Sequence, residues 1–354
     1  MKPLEAKRVL ITGGTGSLGK VLVRRILSGE MGFPHKLIVF SRDEAKQHFM
    51  RVDYMRKFAA TDEVIYRNVD QILDFRIGDV RDYHSISSAL QDIDIVFNAA
   101  ALKQVPVCEY YPYQAVMTNI TGPENIIRVI EEQHLPIETV VGVSTDKACK
   151  PVNVMGMTKA LQERTFIQAN IRCPKTRFIC VRYGNVLASR GSVIPLFHEQ
   201  IAHGGPITIT SPDMTRFLIS LDQAVDTIFA ALTGANKGET YIPRIPSAKV
   251  IDIANALIEN LNLQVNITGI RPGEKLHEIL ISEEEANRTI DRQKYYAIAP
   301  ILPELQDKGM KYSVLQKEYS SADDVMNYSQ VKELLNHQKL MVGQVVLENQ
   351  ELLR

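Results

Sequence analysis

Features that would tie this chain to a special environment are missing. Lysine plus arginine equals aspartate plus glutamate at 41 each, and no block of like charge stands out. Neither a nucleic-acid face nor a polybasic membrane anchor is therefore expected, and any anionic ligand must be met by local groups. Cysteine is sparse: Cys108, Cys149, Cys173 and Cys180 form no CxxC pair and no metal-ligand spacing, which predicts reduced thiols in a cytosolic protein and no metal site. No apolar run approaches membrane-spanning length, and "MKPLEAKR" is too short for a signal peptide before the strand-like "VLIT" begins. The expectation is a soluble, cytoplasmic protein whose 354 residues suffice for a large domain and a smaller companion.

What is present is a rhythm. The runs "RVLIT", "KLIVFS", "ILDFRI", "DIVFNA", "TVVGVS" and "RFICVRY" each end in small or polar residues and are separated by longer amphipathic stretches. Buried parallel strands joined by helices read this way, so the fold class predicted is α/β, a Rossmann-like doubly wound parallel sheet. Helices are predicted at 17–28, 43–59, 84–90, 112–133 and 151–170, with Pro123 kinking or breaking the fourth. From about Arg190 glycine and proline become frequent and the alternation is lost. A smaller mixed α/β substrate lobe is expected at 190–215 and 236–312, with 216–235 returning to the 1–189 sheet domain. Residues 313–354 read as a polar C-terminal extension with a helix at 329–339.

"VLITGGTGSLG" places Gly13, Gly16 and Gly19 after the first strand and at the start of a helix. A turn without side chains lets backbone N–H groups approach a pyrophosphate on the positive end of the helix dipole, so Gly13, Thr15, Gly16, Ser17, Leu18 and Gly19 are assigned to a dinucleotide. After the second strand, "VFSRDEAKQ" offers Ser41 and Arg42 to a 2′-phosphate, which predicts NADP, while Asp43 one step later keeps NAD open. Asp79, followed by Val80, either accepts from the adenine amino group or caps a helix. Ala99, Ala100 and Ala101 make a flat wall for a nucleotide, and Asn119 either braces the site or is an ordinary polar helix residue.

"STDKACKPVNVMGMTKA" carries an anomaly. Lys159 stands four residues after Met155, where a Rossmann-type dehydrogenase with a YxxxK pair has its proton-handling tyrosine. A thioether carries no proton at neutral pH. Acid-base chemistry therefore falls to another residue, and Asp146 with Lys147, just past the fifth strand, lies where doubly wound folds place their ligands.

Taken together, "TGGTGSLG", "SRDEAKQ", "GDVRD", "NAAALKQVPVCEYYP", "STDKACKPVNVMGMTK", "RYGNVLASRGSVIPLF", "TRFLIS" and "RPGEKLHE" resemble the short, soluble nucleotide-sugar 4,6-dehydratases of the extended short-chain dehydrogenase/reductase superfamily, over most of the chain. Met in place of Tyr resembles the branch acting on UDP-N-acetylglucosamine in the route to UDP-N-acetyl-L-fucosamine for capsule or O-antigen.

The resemblance implies an internal redox cycle: C4 loses hydride to NADP⁺, the C5 proton leaves, water departs from C6, and hydride returns to C6. It makes Asp146 the acid toward the C6 oxygen, Lys147 the base at C5, and Lys159 a partner of the nicotinamide ribose, with Met155 packing against nicotinamide or sugar. We further expect Lys147 to handle the C4 proton, its pKa lowered by Lys159 and the nicotinamide cation. Tyr183 falls on the cofactor side. Asn185, Val193, Thr208, Arg216, Arg271 and Glu274 match the family's UDP-sugar contacts, guanidinium forks suiting phosphate. Lys103 and Arg190 each either reach the sugar nucleotide or are solvated. The resemblance implies C5 inversion, leaves C3 epimerisation open, and implies a homo-oligomer, hexameric in some relatives. A UDP-sugar C4-epimerase and a non-catalytic dinucleotide sensor are the alternatives; the former needs no acid at C6 or base at C5, and the latter needs no Asp146, Lys147 and Lys159 together.

Overall fold

Each of the six apolar runs forms a strand: β1 (Arg8–Thr12), β2 (Lys36–Ser41), β3 (Leu73–Ile77), β4 (Ile95–Asn98), β5 (Thr139–Val143) and β6 (Arg177–Val181). The structure is a computed structural model that describes residues 2–60, 69–187, 192–259, 261–306 and 314–344. All six strands are parallel neighbours in the order 3-2-1-4-5-6. The strands read as continuous apolar runs because both faces are covered. Val9 and Ile11 pack with Leu22, Ile26 and Ile228 on one face, while Leu10 packs with Ile86, Ile126 and Ile130 on the other.

The sheet is larger than the sequence reading expects. Thr240–Pro243 adds in parallel to β6, and the hairpin Thr289–Arg292 and Tyr295–Ile298 continues it antiparallel, giving nine strands. These four-residue strands, assigned from sequence to the 236–312 lobe, carry no β-α rhythm because they reach the sheet through long-range pairing. Conversely, Thr215–Ile219, which from its second residue on is expected to open the returning segment 216–235, pairs with Asn185–Val186 and Ser247–Lys249 in a separate three-stranded sheet. The helix Leu221–Gly234 packs on the main sheet beside Ser17–Leu27.

Pro123 is absorbed rather than kinked. Pro112–Val116 and Gly122–Glu132 are joined by a π-helical turn, Met117–Thr121, in which the Gly122 N–H bonds Met117 O. Proline lacks the N–H that would bond the carbonyl four residues back, and the wider turn moves the ladder past it.

The lobe has its own core of Phe197, Leu257, Ile253, Val331 and Leu335. Val331 and Leu335 belong to the helix Tyr328–His337, capped by Asn327 and Gln330, and the strand Tyr319–Ser320 pairs with Ile279–Ile281. The described part of the C-terminal extension thus joins both units, Leu315 and Tyr319 packing against the core of the main sheet and the helix against that of the lobe; residues 313 and 345–354 lie outside the described residues. Among the described residues no helix is long and apolar enough to cross a membrane.

Candidate active site

A cleft of about 800 Å³ lies at the carboxyl ends of the parallel strands, where the chain reverses direction between β1 and β4. Its floor is the loop after β1. Gly13 has φ +69°, and a Cβ there would lie 2.8 Å from the Ala100 backbone, so only glycine lets this loop press on the 99–100 segment. Gly16 caps the helix Ser17–Leu27 without a side-chain hydrogen bond, leaving the cap to backbone N–H groups. Thr15, Gly16, Ser17, Leu18 and Gly19 line the cleft there, a donor set that fits a pyrophosphate.

At one end the lining is Ser41, Arg42, Asp43, Lys46 and Val80. Ser41 accepts from Gln47 Nε2 at 3.0 Å. Lys46, a residue the sequence reading missed, pairs with Asp43 at 2.6 Å and holds its carboxyl below the usual range. Arg42 and Lys46 give the lining at this end two cations against the one carboxylate of Asp43. Asp79, expected at the adenine, is not among the lining residues: Arg81 grips its carboxylate at 2.9 and 2.6 Å, with Arg42 at 3.7 Å. Ala99, Ala100, Ala101 and Lys103 line the wall after β4. Asn119 is fully buried behind that wall, bonding Leu102 N and O and Thr158 Oγ1, which is a bracing role. Its neighbour Thr118, in the π-turn, lines the cleft and has a buried hydroxyl without a partner among the described residues.

The opposite end holds the acid-base groups. After β5 the chain turns through Asp146–Ala148. Asp146 is fully buried; its Oδ1 accepts from Thr145 Oγ1 at 2.8 Å and Lys147 Nζ at 3.0 Å, while Oδ2 has no partner among the described residues. Thr145 and Lys147 line the cleft and Asp146 sits immediately behind them. Lys147 Nζ also reaches Asn185 Oδ1 at 3.3 Å and Glu278 Oε1 at 3.4 Å.

The protein's own groups act on the Lys147 pKa in both directions. Desolvation pulls it down and Arg216 adds to that, but the carboxylates of Asp146 and Glu278 outweigh both and raise it. The ammonium is the resting form. Glu278 closes the motif "RPGEKLHE", yet nothing in its spacing shows that the lobe swings it against a residue 131 positions earlier.

The helix Val154–Arg172 meets this turn at unusually close range. Asn153 caps it, accepting from Gly156 N at 2.8 Å, and a Cβ on Gly156 would stand 2.2 Å from Lys147 O. Met155 and Lys159, one turn apart, both line the cleft. Met155 packs with Cys108 and Ala115. Lys159 is buried and bonds Val143 O at 2.5 Å and Gln162 Oε1 at 2.6 Å; desolvation lowers its pKa to about 8. Tyr183 also lines the cleft, and burial pushes its phenol up.

The residues matched to the UDP-sugar are more dispersed. Asn185 lines the cleft, against Lys147. Val193 opens the helix Val193–Ala202 just behind the lining, and Ser192 before it, within the turn expected from the sequence to meet the nucleotide sugar, faces the cleft with a buried hydroxyl that has no partner among the described residues. Thr208 bonds Gln200, Arg216 is buried against Thr215 O and Leu276 O, Arg271 is exposed, and Glu274 has one buried oxygen without a partner among the described residues; none of these four lines the cleft. Arg190 lies outside the described residues, with 188, 189 and 191.

A family model described as "polysaccharide biosynthesis protein" matches residues 9–300. The UDP-N-acetylglucosamine 4,6-dehydratase (inverting) of Campylobacter jejuni is 40% identical over 332 residues, 91% of this chain and 92% of that protein. A Rickettsia bellii protein named UDP-glucose 4-epimerase is 42% identical, covering 93% and 95% of the two chains. The X-ray structure of Pen from Bacillus thuringiensis superposes with a TM-score of 0.84 at 33% identity, over 96% of this chain and 99% of its own. With the glycine loop, the Met-x-x-x-Lys helix and the Asp-Lys turn around one cleft, and a family match across most of its length, this chain belongs to the polysaccharide biosynthesis protein family of extended short-chain dehydrogenase/reductases.

Proposed function

We propose that the chain is a UDP-N-acetylglucosamine 4,6-dehydratase that inverts C5 and uses NADP. The observation that carries this reading is the Asp146–Lys147 contact at the cleft wall, 3.0 Å from carboxylate oxygen to ammonium nitrogen. Loss of water across C5 and C6 needs a base and an acid at adjacent carbons. One proton transfer from Lys147 Nζ to Asp146 Oδ1 makes both at once, a neutral amine and a carboxylic acid. Exclusion of water by bound ligand favours that transfer, because a desolvated ion pair loses its advantage over the neutral pair. Lys147 then takes the C5 proton, Asp146 gives its own to the departing C6 oxygen, and the pair is again ammonium and carboxylate. Met155 supplies no proton, so the C4 hydroxyl proton also falls to Lys147, directly or through water, and passes from it to solvent before the amine takes the C5 proton.

A nicotinamide dinucleotide, when bound, supplies reversible hydride storage. Gly13 to Gly19, Ser41, Arg42, Lys46, Val80, Ala99, Ala100, Ala101 and Lys159 are the residues that would hold it, and Arg42 with Lys46 supports NADP over NAD. The similarity to the Campylobacter dehydratase supports the substrate, and the family description supports a place in surface polysaccharide synthesis.

Incubation with UDP-N-acetylglucosamine tests the reading: the product should be lighter by one water, and Lys147→Ala should lose both C4 oxidation and elimination. The name of the Rickettsia relative favours a second reading, a UDP-sugar 4-epimerase. An isomer of unchanged mass, with no dehydrated product, would establish that reading instead.

A further inference from the structure

Glu278 immediately precedes the strand Ile279–Ile281 and is 3% exposed. Its Oε1 lies 3.4 Å from Lys147 Nζ and 3.9 Å from Arg216 Nε; its Oε2 lies 4.0 Å from Lys275 Nζ, with no hydrogen-bond partner among the described residues. Burying a carboxylate with an unmade hydrogen bond is unfavourable, so packing alone does not account for a glutamate here.

The backbone under it is clamped by the C-terminal extension. Glu278 N donates to Ser321 Oγ at 2.9 Å, Ser321 N donates to Glu278 O at 2.8 Å, and Ser321 Oγ lies 2.7 Å from Thr215 Oγ1. Ser321 is fully buried. The tail therefore ties the segment bearing Glu278 to the strand bearing Arg216, and both to a fixed distance from the turn at Lys147. The result is an alternating row of charges, Asp146, Lys147, Glu278 and Arg216, running from the cleft wall into the lobe.

We propose that Glu278 is a positioning residue for the dehydration: it fixes the Lys147 ammonium on the cleft wall and keeps it protonated until Asp146 accepts its proton. The proposal deepens the assignment of Lys147 as the base and rests on it. The ionisable groups around Lys147 are Asp146 on its own turn, Glu278 and Lys275 from the lobe segment, Arg216 from its strand, and Lys159 and Tyr183 on the same cleft wall. Of these, Glu278 is the lobe's carboxylate in contact with it; Asp146 has its own part in the reaction. Glu278→Gln keeps the shape and removes one negative charge.

The test uses the full chain without substrate. Lys147 lines the cleft, so a small amine-acylating reagent can titrate it across pH, read by peptide mass spectrometry. In Glu278→Gln the labelling midpoint should fall by about one pH unit or more, tenfold in proton affinity. Glu278→Asp, with a shorter reach and the charge kept, should fall between that variant and the parent. With UDP-N-acetylglucosamine, kcat of Glu278→Gln should drop by about tenfold or more, with partial recovery in Glu278→Asp. An unchanged labelling midpoint in Glu278→Gln overturns the proposal whatever the activity. Should the Gln variant not fold, an Asp midpoint equal to the parent's overturns it in its place. A parent that never removes water from UDP-N-acetylglucosamine defeats the dehydratase reading alone, and the labelling midpoints then still decide the role of Glu278.

Discussion

Gly156→Ala sets helix propensity against site geometry. Alanine is favoured over glycine inside a helix by about 1 kcal/mol, so on local grounds the change should stabilise Val154–Arg172. The added Cβ, however, would stand 2.2 Å from Lys147 O and 3.1 Å from Lys147 C, where ordinary contact begins near 3.4 Å. Helix and turn must part by about 1 Å, and overpacking of this kind costs about 1–3 kcal/mol in a close-packed interior. The net expectation is neutral to about 2 kcal/mol destabilising. Function should suffer more: a shift of about 1 Å at Lys147, relative to Asp146 and the sugar, is enough for roughly a hundredfold loss of kcat. Urea unfolding with turnover of UDP-N-acetylglucosamine reads both. A variant about 1 kcal/mol more stable than the parent, with kcat intact, would show that the helix does not set the position of the turn.

Lys159 gives a pH-dependent stability. Its folded pKa of about 8 lies below the ordinary 10.5, so the folded chain releases this proton first; the penalty is complete below pH 8 and disappears as pH rises to 10.5. The advantage of Lys159→Met over the parent in unfolding free energy should therefore shrink by about 3 kcal/mol between pH 7 and 10.5, and parallel pH profiles would refute this. Arg182 is fixed by Glu163 at 2.6 Å and by Glu285 at 2.9 Å, all three buried or nearly so. Arg182→Met strands two carboxylates and should destabilise by about 3–5 kcal/mol in chemical denaturation. Glu285 shows the linkage: desolvation opposes its charge, but Arg182 brings its pKa down to about 2, so its stabilisation holds above the usual glutamate range and is lost as pH falls toward 2. Acid unfolding of Arg182→Met should begin at higher pH than in the parent. At the other end of the cleft, Arg42→Ala with Lys46→Ala should weaken NADP by about tenfold or more and leave NAD within a few-fold; equal losses for both, by calorimetry, would argue against a 2′-phosphate at that end.

Much of the fold was legible because it rests on local patterns. Apolar runs ending in small residues marked β1 to β6, and the glycines after β1 marked where a phosphate-sized anion could sit against a helix start. The adjacency of Asp146 and Lys147 is a covalent fact that any fold must respect, and the four-residue separation of Met155 and Lys159 puts both on one face of any helix they share. The sequence likewise excluded the thioether of Met155 as a proton carrier, which directed attention to the turn before it.

What the sequence could not supply was everything that depends on residues far apart in the chain. The hairpin at 289–298 joins a sheet begun at residue 8, Arg81 takes the carboxylate of Asp79, and the π-turn before Pro123 carries a cleft-lining Thr118. Above all, the sequence shows Asp146 beside Lys147 but not the second carboxylate: the lobe delivers Glu278 to 3.4 Å, and after desolvation has pulled the Lys147 pKa down, Asp146 first and Glu278 next raise it. Periodicity and propensity are short-range and survive in the letters of the chain. A pKa is set by whichever charges the finished packing brings within a few ångströms, and only the tertiary structure decides which those are.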